Sequence, residues 1–60
     1  MNLSESIRSL NVMSEALAKL ANDPKNYNNP ISQYLENISR QCENDANALQ
    51  EMKYAYGEVV

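Results

Sequence analysis

The sequence predicts an all-α fold, an antiparallel two-helix hairpin, and three observations carry that prediction. Apolar residues recur at steps of three and four in both halves of the chain. An Asn- and Pro-rich stretch separates the halves, and nothing alternates in the manner of a strand. The expected elements are a helix over about 3–21, a turn over 22–29 and a longer helix over about 30–56, all within a single domain, 1–60.

Asn2 followed three residues later by Glu5 has the logic of a capping box, so the first helix should start there. Leu3, Ile7, Leu10, Leu17 and Ala21 then form one apolar stripe, which Met13 and Leu20 widen on one side. Glu15 and Lys19 make an i,i+4 pair on the wet face. Asn22-Asp23-Pro24 ends the helix, because proline disfavours a helical residue before it and supplies no amide. Asn29-Pro30 restarts it, as an N-cap followed by proline in the first turn. In the second helix Ile31, Leu35, Ile38, Cys42, Asp45, Leu49, Met52 and Tyr56 alternate at steps of four and three, a heptad seam that Gly57 closes.

Folding the chain about its turn pairs positions whose numbers add to about 52, given the helical rise per residue. Leu35 is then expected to face Leu17, Ile38 to face Ser14, Cys42 to face Leu10, Asp45 to face Ile7 and Leu49 to face Leu3. This register leaves the end of the second helix and the tail overhanging, with Met52, Tyr54, Tyr56, Val59 and Val60 among them. Two helices leave each stripe half wet, and a chain of 60 residues is close to the lower limit for a self-sufficient core. One cysteine and no histidine rule out an internal disulfide and a conventional zinc site as staples. Oligomerisation remains, and a homodimeric four-helix bundle is the expected completion.

The same composition argues against catalysis. A serine or cysteine nucleophile would lack a histidine base, and a single glycine cannot make a phosphate-cradling loop. No enzyme activity, cofactor or metal is expected. The net charge of −3 disfavours nucleic acid, and the acidity is concentrated in the second half, where Arg40 and Lys53 stand against Glu36, Glu43, Asp45, Glu51 and Glu58. No apolar run reaches the roughly 20 residues that span a bilayer. Nor does the start resemble a secretory signal, so the chain is expected to be cytoplasmic, with no membrane partner.

Asp45 breaks the local pattern by placing a carboxylate on the seam. Two readings compete: a splayed, solvated layer thinned by Ala46 and Ala48, or a device that sets register or partner by pairing with Ser6 or Arg8 of the same or a neighbouring chain. Cys42 reads as a small buried hydrophobe, with a cross-chain disulfide as the alternative. Tyr54, Tyr56, Val59 and Val60 make the C-terminal end the candidate partner surface, since tyrosine suits interfaces that are apolar at one side and wet at the other.

Ala16-Leu17-Ala18-Lys19-Leu20-Ala21-Asn22-Asp23-Pro24 resembles the end of the first helix and the turn of type III secretion needle subunits, small hairpins that polymerise. The resemblance implies a structural or co-chaperone role in a needle-like assembly. Past Pro24 the chain departs from that pattern, with a longer Asn-rich turn and a Gly57-Glu58-Val59-Val60 ending in place of a hydrophobic terminal helix. The expected architecture is also similar to plasmid copy-number proteins, hairpin dimers that bind paired RNA loops, but Arg8, Lys19, Lys25, Arg40 and Lys53 are spread too thinly for such a face. The leading expectation is a self-associating protein that binds or modulates another protein, as an accessory or regulatory factor of a bacteriophage or mobile element.

Overall fold

The computed structural model describes residues 2–58 of the chain. Two helices pack against each other as an all-α hairpin: α1, Leu3–Ala21, and α2, Pro30–Tyr56, joined through a short 3-10 turn at Pro24–Asn26. Asn2 caps α1, its Oδ1 accepting from the Glu5 amide at 2.9 Å. Asn29 caps α2 in the same way, accepting from the Ile31 amide, with Pro30 in the first turn.

The connection is dense with asparagine because the last carbonyls of α1 need donors. Asn26 Nδ2 donates to Leu20 O at 2.7 Å and Asn22 Nδ2 to Ala18 O at 2.9 Å. Ser32 Oγ, from the first turn of α2, donates to Ala21 O at 2.8 Å. Asp23 caps the 3-10 turn through the Lys25 amide. Asn28 reverses the chain at φ 64°, a left-handed conformation that asparagine tolerates better than other side-chain-bearing residues.

The core is narrow. Its buried members are Ala21, Cys42 and Ala46 with the polar Ser39, and among the described residues no large side chain is fully buried. Leu3, Ile7, Leu10, Leu17, Leu35 and Leu49 line the same interface but stay half-buried. The rod measures 43 × 14 × 11 Å with a radius of gyration of 13.8 Å. A compact domain of this length would have about 10 Å.

Candidate interaction surface

The face that α2 turns to α1 is not the most apolar one. Ser32, Leu35, Ser39, Cys42, Ala46, Leu49 and Lys53 run along it, buried or half-buried and again at alternating steps of three and four, with the half-buried Glu36 and Gln50 at its polar edge. Of the seam expected from hydrophobicity, Leu35, Cys42 and Leu49 lie inside, whereas Ile31, Ile38, Asp45 and Met52 lie outside. Tyr56, at the end of both stripes, is exposed as well. The rotation has a physical cause. Facing α1 with the more apolar stripe would desolvate the Asp45 carboxylate, a cost that Ala46 avoids.

Ser14 and Ser39 are satisfied across the helix interface rather than tolerated. Ser39 Oγ donates to Ser14 O at 2.7 Å and lies 3.2 Å from the Ser14 hydroxyl, whose proton is free to return the bond. Ser14 thus meets Ser39, one residue past the expected Ile38. Hydropathy passes over Ser32, Ser39 and Lys53, although a heptad of small residues was there to be read.

Rotation leaves an apolar flank open. With Ser14, Ala21, Ser39 and Ala46 as seam residues, the positions just before them lie along one edge of an antiparallel pair. On α1 these include Met13 and Leu20, and on α2 Ile31, Ile38 and Met52. All five are 48 to 52 % exposed. Tyr34, 66 % exposed, and the exposed Ala16 and Ala48 broaden the strip. Asp45 interrupts it at mid-length, where its Oδ1 accepts from Gln41 Nε2 at 3.0 Å. Neither Ser6 nor Arg8 is its hydrogen-bond partner within the chain.

The opposite flank is polar. An open groove of about 350 Å³ is lined there by Ser4, Arg8, Asn11, Glu15, Gln50 and Lys53 together with Ile7 and Val12. A smaller one lies between Ala18 and Ser39, Glu36, Arg40 and Glu43.

At the end of the hairpin away from the turn, Met52, Tyr54 and Tyr56 of the expected overhang continue α2, and the chain turns back just after it. Gly57, at φ 80°, turns the chain after its amide has bonded Lys53 O. Glu58 then grips the start of α1, its carboxylate accepting from the Ser4 amide at 2.7 Å and the Ser4 hydroxyl at 2.8 Å. Lys53 Nζ donates to Ser4 Oγ at 2.8 Å and sits 3.5 Å from the Glu58 carboxylate. The Ser4 amide, then its hydroxyl, hold the Glu58 carboxyl below its ordinary pKa; desolvation opposes them, and the Lys53 charge lowers it further. Tyr54 and Tyr56 remain 82 and 76 % exposed beside this clasp. Val59 and Val60, the other two members of the candidate partner surface, lie outside the described residues.

Cys42 is a buried free thiol. Among the described residues, no three acidic or cysteine side chains gather as a metal-binding group, and no helix is long and apolar enough to cross a membrane. No protein-family model matches the chain, and comparisons with curated proteins and with solved structures find no match.

Proposed function

We propose that this chain is a non-enzymatic interaction module that self-associates as a homodimer through its open apolar flank and offers its remaining surface to a second protein. The observation that carries this reading is the flank itself: Met13, Leu20, Ile31, Ile38 and Met52 stay about half exposed on one edge, while among the described residues only small side chains are buried and the leucines of the seam are half-buried. The total surface agrees in magnitude. The chain exposes 4633 Å², whereas a compact monomer of its mass exposes about 4,000 Å². The excess is on the order of the 800 Å² that each partner contributes to a standard interface. The second protein is assigned to the Tyr54–Tyr56 end and the acidic outer face of α2, which the homodimer leaves free.

Light scattering across a concentration series tests the reading. A species of twice the 6.8 kDa chain mass is expected. Ile38→Lys, which places a charge on the flank without touching the hairpin seam, should weaken association by about 2 kcal/mol, roughly thirty-fold in Kd, with helicity unchanged. A monomer at every concentration would refute self-association. Growth beyond a dimer would favour the filament-forming subunit that the resemblance near the turn implies.

A further inference from the structure

The open stripe of α2 has the same spacing in both directions. From Ile31 its exposed members advance by three, four, three, four, three, four and three residues to Ala55, so reversal about residue 43 maps the stripe onto itself. Residue 43 is also the midpoint of α2, Pro30–Tyr56. We infer that the occupant of the flank is a second copy of this chain, its α2 lying antiparallel and in full overlap on the first, with a two-fold axis crossing the stripe at the level of residue 43 and a polar layer of Gln41 and Asp45 at the centre. This rests on the self-association proposed above and adds its register.

Three features of the stripe favour that arrangement. Reversal sets Ile38 against Ala48 of the second copy and Ile31 against Ala55, large against small, as interdigitating layers require. Tyr34 meets Met52 of the second copy, a contact the flexible thioether suits. Gln41 meets Asp45 of the second copy. Its amide already gives one hydrogen to the Asp45 of its own chain and has another for the opposing carboxylate, so the buried layer is satisfied twice over. A parallel pairing would instead set Asp45 against Asp45, with like charges in contact. Antiparallel helices also oppose their dipoles. Met13 and Leu20 of α1 border the same strip and extend the covered area to both helices.

Disulfide trapping in a Cys42→Ala background tests this register. Positions 38 and 48 lie on one helix about 15 Å apart, beyond the reach of a disulfide within a chain. Ile38→Cys/Ala48→Cys should therefore form a covalent dimer in a glutathione redox buffer. At micromolar chain its yield should exceed that of Ile38→Cys alone by on the order of a hundred-fold, because only the pair is held in contact. Tyr34→Cys/Met52→Cys reads the same register if the first pair disturbs folding, which circular dichroism reports. Equal trapping by the single Ile38→Cys variant would mean parallel helices and would overturn the proposal. A dimeric mass with neither pair trapped would place the contact elsewhere, overturning the register but leaving self-association standing. A monomeric mass would overturn both and hand the flank to a different protein.

Discussion

Ser39 lies near the middle of α2, 7 % exposed, with its hydroxyl proton directed at Ser14 O across the helix interface. A larger side chain there would push the helices apart, and a methyl group would leave the Ser14 hydroxyl facing apolar surface. Ser39→Ala should lower unfolding free energy by about 1 kcal/mol in urea titrations, the usual net value of one such bond. Glu58 acts at the other end of the hairpin. Because the folded protein holds its pKa below the unfolded value of about 4.3, the clasp contributes stability above that value and loses it as pH falls through the lower folded one. Melting temperature should thus decline on acidification, and Glu58→Gln should flatten that part of the decline. An identical acid limb in the variant would show that the Ser4 contacts do not hold in solution. Glu58 is well exposed, so added salt should shrink the effect.

The helices owe their ends to residues that satisfy backbone groups. Asn2 and Asn29 accept at the two N-termini, while Asn22, Asn26 and Ser32 donate to the last carbonyls of α1. The turn between them depends on Asn28 at φ 64°. Asn28→Ala should cost about 1 kcal/mol, and Asn28→Gly should be neutral or stabilising, since only the alanine strains this conformation. Thermal melts of the two variants decide it. Equal melting temperatures would mean that the turn rearranges freely. Cys42 lies within the α1–α2 seam and is only 8 % exposed, so thiol-reactive reagents should modify it only as the hairpin opens.

For the molecule as a whole, a thin rod with a core of small residues leaves much of its apolar surface half wet. Asp45 then has a double effect. It keeps α2 from turning its most apolar stripe onto α1, and in the proposed dimer it reads Gln41 of the second copy. Asp45→Leu should make association tighter and less specific, giving mixed orientations or higher oligomers by light scattering, because an all-apolar layer no longer selects one register. An unchanged mass together with an unchanged melting temperature would remove the residue from both roles.

The part of the fold written in the sequence is local. Its caps, its proline stops and its three-four periodicity place both helices and the turn, because each depends on bonds and side-chain spacings within a few residues. Part of the seam was equally legible: Leu35, Cys42 and Leu49 belong to either of two adjacent heptad stripes. Which stripe faces α1 depends on the packing of the two helices, where burying Asp45 competes with half-exposing Ile31, Ile38 and Met52, and Ser39 can find Ser14. Hydropathy ranks the first stripe higher, since it counts neither the desolvation of one carboxylate nor a hydroxyl satisfied from another helix. The clasp of Glu58 on Ser4 was out of reach for the same reason: it joins the two ends of the described chain, and nothing in the local pattern of either end refers to the other.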